Sequence, residues 1–564
     1  MTKMKTNDII KTGVKAALAA LPLLLASCDM DTESMTDLND QTAYRNQEAA
    51  EMALAGCYDG WQQTVSSEGL GMYLTAELAS DQAHGGLGFS DAKNNNAIDQ
   101  FDLSIAPSYN DMFNTDWKNY YAAIFRCNKV IANGDVTAWD SEEAKGRVLG
   151  QARALRALLY FDLVRLFGDV PLVTEPTEAN LPRTDASQVY AVIFQDLKFA
   201  AQNIPADAFP LAARNSNDGR ITKYAAEALL ARVYLYYKGY YGKSDAECAE
   251  TGCSEAEATA ALKDVIDNGG YELEANYADL FMPACTKDAS TGDSYAWDTT
   301  YKGKYYNNAW TGDISKEVVL NMKFATTQDY NGNADGNTFC VFLGPRNKHA
   351  TMICIASGWG ACSVTKAFVD KFKSDARFSA CCWGCDEVGF TPDLNDTYEY
   401  TGYYTRKYAP MCFSNGTRQE VGFKLGEQHQ NITYYQDWTI MRYADVLLMY
   451  AELTQDASYI KKVHLRSNPN DGKTITMADL NDERAIEFAF EGIHYWDLMR
   501  MEKDGAAAGR AIAAAQNGAV VYNGGVETTV SFNVENFNAK KGLMQIPNTQ
   551  ITLSGGTLTK NAGW

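Results

Sequence analysis

Residues 142–167, EEAKGRVLGQARALRALLYFDLVRLF, constrain the fold of this chain more than any other stretch. Val148, Ala152, Leu155, Leu159, Leu163 and Leu166 recur at three- and four-residue steps, which predicts an amphipathic helix of about seven turns. Such a helix needs partners for its apolar face. Gly168 and Pro171 end it, as a helix terminator and a turn should. Residues 222–240 repeat the pattern through Ala225, Leu229, Val233 and Tyr236, and 441–453 repeat it through Tyr443, Val446, Leu447 and Tyr450. Thr476 and Asp479 form a capping-box-like signal ahead of a further helix running through Ile486, Phe490 and Ile493. Periodicity favours helix in most of the well-patterned segments, and helix pairs towards the N-terminus suggest a stacked helical-repeat layout, although no clean 34-residue period is present.

Between residues 283 and 440 the texture changes. Gly, Asn, Asp, Thr and aromatic residues dominate, and helical periodicity fades except around 363–373. A stretch of this length reads as an irregular, loop-rich insertion of functional purpose, because its many rings argue against disorder.

The first 28 residues set the compartment. Lys3, Lys5, Lys11 and Lys15 precede the apolar run AALAALPLLLA, followed by Leu25-Ala26-Ser27-Cys28. That order predicts an export signal, and the run is too short to span a bilayer as a mature helix. The cysteine after Leu-Ala-Ser resembles a lipobox, so residues 1–27 are expected to be removed and Cys28 lipidated, with 28–40 as a tether. No later segment reaches 18 consecutive apolar residues, so membrane contact is expected through the lipid anchor only.

Charge excludes several partners. The formal net charge of −21 becomes about −24 once residues 1–27 are gone. Phosphate-binding surfaces are basic, so no nucleic acid is expected, and anionic lipid surfaces are disfavoured too. Twelve cysteines follow Cys28, and only Cys382-Trp-Gly-Cys385 has CxxC spacing. A zinc site needs a second pair or histidines at ligand spacing, and His349 and His429 lie far off in sequence; disulfides or buried thiols are expected, and no metal or cofactor. Asn331 to Gly336 resembles the front of a calcium loop, but the twelfth position is Phe342 where the bidentate Glu belongs.

At this point the sequence resembles a known family. GQARALRALLYFDLVRLFGDVPLVTEP at 150–176 is similar to a signature of the SusD/RagB family of Bacteroidetes outer-membrane lipoproteins, as are GRITKYAAEALLARVYLYY at 219–237, GWGACSVTKAFVDKFKSDARF at 358–378 and RYADVLLMYAEL at 442–453. NDERAIEFAFEGIHYWDLMRM at 481–501 and LMQIPNTQI at 543–551 complete the resemblance, in the family's order, over essentially the whole mature chain. The resemblance implies an all-α, tetratricopeptide-like helical-repeat scaffold carrying a long irregular, loop-rich insertion half. It implies an N-terminal helical region at 41–282, a loop-rich ligand-binding region at 283–440 and a C-terminal helical region at 441–564. It further implies a non-enzymatic, surface-exposed lipoprotein of the outer membrane that captures oligosaccharide and serves as the lid of a SusC-like TonB-dependent transporter. Asp29 to Glu33 is similar to the acidic export signal of such lipoproteins.

The candidate site follows from where rings sit on irregular backbone. Tyr295, Trp297, Tyr301, Tyr305, Tyr306 and Trp310 fall within sixteen positions among Gly, Asn, Thr and Lys, with no helical spacing. A flat ring can stack on the C–H face of a sugar while neighbouring polar groups bind its hydroxyl rim. Some of these rings are expected to pack the insertion onto the helices instead; Trp297, Tyr305 and Trp310 are the first choices for stacking. A second contribution is expected from 77–117, with Asp81 and His84 as hydroxyl partners, where Gln82 stands in place of the family's usual acid. His84 reads equally well as a loop residue bonded to solvent. Trp359, in Gly-Trp-Gly, adds a ring whose glycines allow close approach of a ligand or a tight turn. Glu483, Arg484, Glu487, Glu491, Asp497 and Arg500 mimic a catalytic cluster, but their helical spacing reads as structural ion pairing, as it does for Arg153, Arg156, Asp162 and Arg165. Two alternatives remain open: a surface glycoside hydrolase using carboxylates such as Asp293, Asp298 and Asp313, and a protein of the same family that captures peptide or glycoprotein.

Overall fold

The computed structural model describes residues 44–66, 70–91, 93–107, 111–177, 179–209, 218–285, 287–289, 309–324, 336–346, 358–386, 392–409, 411–412, 420–421 and 436–564. The N-terminal body is made of helices α1 (Gln47–Ser66), α2 (Gly71–Leu78), α3 (Asn94–Asp99), α4 (Asn114–Ala132), α5 (Glu142–Phe167), α6 (Ala186–Asn203), α7 (Lys223–Tyr240), α8 (Asp245–Thr251) and α9 (Glu255–Asn268). A short strand, β1 (Ala83–Gly86), interrupts them. The later part brings β2 (Val318–Met322), β3 (Ala361–Val364), α10 (Lys366–Phe372), β4 (Cys382–Gly384), β5 (Tyr403–Thr405) and β6 (Trp438–Arg442). Helices α11 (Tyr443–Thr454), α12 (Ala457–Ser467), α13 (Leu480–Glu487), α14 (His494–Met501) and α15 (Ala506–Gln516) follow.

The central helix α5 forms as its sequence predicts. The Ser141 hydroxyl accepts from the Ala144 N–H, Glu142 and Glu143 sit at the positive end of the helix dipole, and Gly168 closes the helix at φ 70°. Ala152, Leu155, Leu159 and Leu163 are all fully buried. Packing runs from each helix to a near neighbour in the chain: α1 on α4, α4 on α5, α5 on α6, α6 on α7 and α7 on α9. This succession of hairpins is the stacked arrangement expected from the helical spacing. Arg156 of α5 donates to both oxygens of Asp196 on α6 at 2.8 and 2.9 Å, and to Asn128 Oδ1 on α4 at 2.8 Å, so one buried guanidinium ties three helices together.

Part of the surplus of tyrosine, 33 residues in all, serves this packing. On α7 the Tyr237 ring lies 4.5 Å from Tyr190 of α6, and Tyr236 stacks on Tyr240 at 5.5 Å.

The C-terminal helices grip the later strands through a buried ionic network. Arg442, at the end of β6, meets Glu317 at 2.5 Å and Glu487 and Glu491 at 2.8 Å. Arg377 reaches Glu483 and Glu487 at 2.5 and 2.9 Å, Lys407 pairs with Glu491 at 2.6 Å, and Arg466 pairs with Glu317 at 2.8 Å. Arg484 and Arg500 share Asp497. The carboxylates that resemble a catalytic cluster are thus consumed by arginines and lysine.

One element departs from its sequence reading. The helix expected to start near Thr476–Asp479 and run through Ile493 stops at Glu487 and restarts as α14 at His494. Phe490 and Gly492 adopt positive φ, 59° and 79°. The break frees backbone that tertiary contacts then use: the Gly492 N–H donates to Glu77 Oε1 at 2.6 Å, and Phe490 O accepts from Tyr73 at 3.0 Å. Among the described residues no helix is long and apolar enough to cross a membrane.

Candidate functional site

A four-stranded antiparallel sheet in the order β1, β3, β5, β4 carries the candidate site at one end. His84 lies opposite Ser363 and Gly86 opposite Ala361. Beyond Gly86 the chain turns outward, and five loops from distant parts of the sequence converge. Leu87 N–H donates to Gly360 O at 2.9 Å, Tyr398 N–H to Leu87 O at 3.0 Å, Gly360 N–H to Gly344 O at 2.8 Å and Gly524 N–H to Thr397 O at 2.8 Å. Gly86, at φ 69°, permits this convergence, since a Cβ there would stand 2.3 Å from the Gly360 carbonyl oxygen.

Two large rings are left facing out. Trp359 is 42% exposed and Phe89 is 47% exposed. Phe342 backs Trp359 edge-on, with ring centroids 4.7 Å apart, and Phe89 lies over Gly524, where a side chain would meet its ring. Between the two ring-bearing loops sits Arg346. Its guanidinium donates to Asp396 Oδ2 at 2.9 Å and to Asp91 Oδ2 at 2.6 Å, and it fills the space beside Gly88 and Gly360. Lys93 lies 3.7 Å from the centre of the Tyr398 ring and donates to Phe89 O at 2.8 Å. Burial opposes the charge on Arg346, but the two carboxylates outweigh it and hold the guanidinium above its ordinary value. Arg346 and Lys93 are matched on this rim by Asp91 and Asp396, and Asp393 of the same loop adds a further exposed carboxylate, beneath exposed aromatic faces.

Behind the rim the floor is polar and closed. Gly85 N–H donates to Asp99 Oδ2 and Gly86 N–H to Glu399 Oε2, while Asn96 Nδ2 donates to Glu399 at 2.5 Å. Burial pushes the Glu399 carboxyl up to about 7, and burial with the neighbouring Glu399 charge pushes Asp99 well above its ordinary value. His84 is fully buried in β1 with neither ring nitrogen hydrogen-bonded, and burial lowers it to about 4.

The sequence-predicted residues separate accordingly. Trp359 stands on the rim. Asp81 instead faces the C-terminal body, where its carboxylate meets His494 Nε2 at 2.7 Å, and His84 lies under the surface. Trp310 is only 8% exposed, with its ring against Gly312, so it is placed to pack. Tyr295, Trp297, Tyr301, Tyr305 and Tyr306 lie outside the described residues, as do Asp293, Asp298, the 331–335 segment and Cys28. Phe89, Lys93, Arg346 and Tyr398 were not singled out by sequence; a ring inside the glycine-rich GGLGFSD was the available signal. Among the described residues no group of three His, Cys, Asp or Glu side chains is arranged to hold a metal ion.

Comparison with known proteins agrees with this architecture. A family model described as the SusD family matches residues 383–564, and one described as starch-binding associating with outer membrane matches residues 34–235. A SusD-like protein of Formosa agariphila is 24% identical over 520 residues, covering 85% of this chain and 89% of that protein. A SusD-like protein of Bacteroides ovatus is 23% identical over 502 residues, covering 86% of this chain and 81% of that one. Among solved structures, a laminarin-binding SusD-like protein superposes with a TM-score of 0.67 at 23% identity, covering 92% of this chain and all of that one. Surface glycan-binding protein A from Bacteroides thetaiotaomicron superposes with a TM-score of 0.70 at 21% identity, with the same coverage. With two family models matching towards both ends of the chain and the helical scaffold shared with those structures, the chain belongs to the SusD family.

Proposed function

We propose that this protein is a non-catalytic, cell-surface lipoprotein of the outer membrane that captures oligosaccharide on the rim formed by Trp359 and Phe89 and delivers it to a SusC-like TonB-dependent transporter. The observation that carries this reading is the pair of exposed rings held on one rim that has no excess of positive charge. Rings of this kind match the apolar face of a pyranose, and surroundings without excess positive charge favour uncharged sugars over sulfated or uronic ones. Related proteins support the ligand class, since one is titled as laminarin-binding and another was solved with laminarihexaose. The aromatic residues at 295–306 are proposed to extend the site within a ligand-binding region at 283–440, flanked by helical regions at 41–282 and 441–564. Cys28 is proposed to carry the lipid that keeps the protein beside its transporter, so that modest affinity suffices at high effective concentration.

Isothermal titration with neutral gluco-oligosaccharides, alongside sulfated and uronate-containing ones, tests the reading. Saturable binding of a neutral oligosaccharide, weakened in Trp359→Ala, is the expected result; binding that Trp359→Ala leaves untouched rejects this rim as the site. Mass analysis of the recovered oligosaccharide separates the hydrolase alternative, because shortened product would exclude a non-catalytic role.

A further inference from the structure

Helices α1 and α4 run antiparallel at unusually close range, and their register is fixed at three levels. Asn119 Nδ2 donates to Gln63 O at 2.9 Å. One turn along, a Cβ at Gly60 would lie 3.1 Å from Ala123 Cβ and 3.2 Å from its Cα, so the two backbones pass within about 5 Å of each other. Steps of three residues back on α1 and four forward on α4 then bring Cys57 level with Cys127. At that level Arg126 Nη1 donates to Gly56 O at 2.7 Å.

Both thiols are fully buried between the helices: Cys57 Sγ donates to Ala53 O at 3.5 Å, and Cys57 stands near enough to the Cys127 thiol to raise it. A disulfide needs Cα atoms about 4.4–6.8 Å apart, a distance that helix pairs reach only where small residues line the crossing. Gly60 and Ala123 supply that lining.

We propose that Cys57 and Cys127 are a disulfide-forming pair, and that their bond staples the first helix after the tether to α4. This goes beyond glycan capture, and its cellular setting rests on the export reading above. The oxidant is a disulfide-bearing partner: a thiol–disulfide oxidoreductase of the envelope, or glutathione disulfide in vitro. One cysteine thiolate attacks a sulfur of that disulfide and forms a mixed disulfide, releasing the first thiol. The second cysteine then displaces the other sulfur. One S–S bond is made and one broken; two electrons and two protons pass to the partner, which leaves as two thiols. The facing Cys57 side chain and burial together hold the Cys127 thiol protonated in the closed fold. The exchange therefore takes place while α1 has not yet docked on α4.

The test uses full-length protein isolated from its own envelope, denatured in alkylating agent without reductant, digested and analysed by mass spectrometry. The expected result is a linked peptide pair containing Cys57 and Cys127, two hydrogens lighter than the separate peptides. In parallel, the reduced, unfolded chain is refolded in a glutathione redox buffer, where the same linked pair should dominate over other pairings. Alkylation of both cysteines after refolding, or pairing of either one with a different cysteine, overturns the proposal. Failure of export would show as protein recovered from the cytoplasm with free thiols, and the refolding arm then judges the pair independently. Cys57→Ala and Cys127→Ala should each lower the melting temperature of the oxidised protein by several degrees and leave that of the reduced protein little changed; equal losses in both states also overturn it.

Discussion

Asp99 and Glu399 accept hydrogen bonds from consecutive backbone amides, Gly85 and Gly86 of β1, although they come from positions 300 residues apart in the chain. Both carboxyls hold protons more tightly in the folded protein than in the unfolded chain, chiefly because they are buried. The folded state therefore binds the extra protons, and the stability they contribute is greatest below about pH 4.5 and declines as pH rises towards 7, where Glu399 titrates. Glu399→Gln should flatten this fall and be more stable than the parent at pH 8, by on the order of 1–3 kcal/mol. Urea unfolding at pH 5 and pH 8 on both proteins checks it; parallel pH profiles would reject the role of Glu399.

Removing the rings of the rim should cost binding without costing the fold. Trp359→Ala and Phe89→Ala are each expected to weaken neutral oligosaccharide binding by about tenfold to a hundredfold, as loss of a stacking surface does. Both side chains are substantially exposed, so melting temperatures should stay within about 2 °C of the parent. Calorimetric titration and a thermal scan on the same samples measure the two effects.

The ionic network around Arg442 makes a different prediction. Arg442 alone meets Glu317, Glu487 and Glu491, all fully buried. Arg442→Met would leave those carboxylates short of counter-charge, costing about 3–5 kcal/mol. Equilibrium denaturation should show a lowered midpoint with an unchanged slope. A loss below about 1 kcal/mol would mean that Arg466, Arg377 and Lys407 suffice.

Asp81 and His494 oppose the trend set by the buried acids. Burial disfavours the charge on His494, but the facing Asp81 carboxylate outweighs it and raises the imidazole above its ordinary value. A raised histidine contributes stability that is fully present below about pH 6.5 and is lost as pH rises through its folded value. Asp81→Asn should therefore destabilise the protein by about 1–2 kcal/mol at pH 6 and by less at pH 9, the effect being moderated because a quarter of the Asp81 side chain is exposed. Thermal melts across that range read the difference.

The helical body was legible because its signal is local. The apolar steps of 142–167 and the Ser141 and Gly168 boundaries place α5 without reference to anything distant. The break at Phe490 to Gly492 was not legible, since the apolar spacing continues through it and its cause, the Glu77 carboxylate, lies more than 400 residues away. The sheet hid for a similar reason: AHGG and CWG are short, glycine-bearing and uncharacteristic of strands, and only their pairing makes them so. At the site, Trp359 could be found from its flanking glycines. Phe89 has neighbouring glycines too, but its outward placement depends on Arg346, Tyr398 and Gly524, which fix its loop and arrive from three other segments.

The sheet that supports the rim also dictates an order of events during synthesis. Strand β1 ends at residue 86, but its partner β3 begins only at residue 361, and β4 and β5 come later still. The early helices can close over short separations, whereas β1 waits, with its edge unpaired, for some 275 intervening residues to appear. Long-range pairings of this kind are slow, and they leave an exposed edge open to wrong partners in the interval. A nascent chain cut short before residue 360 would thus own its scaffold and Phe89, yet have no binding surface to offer.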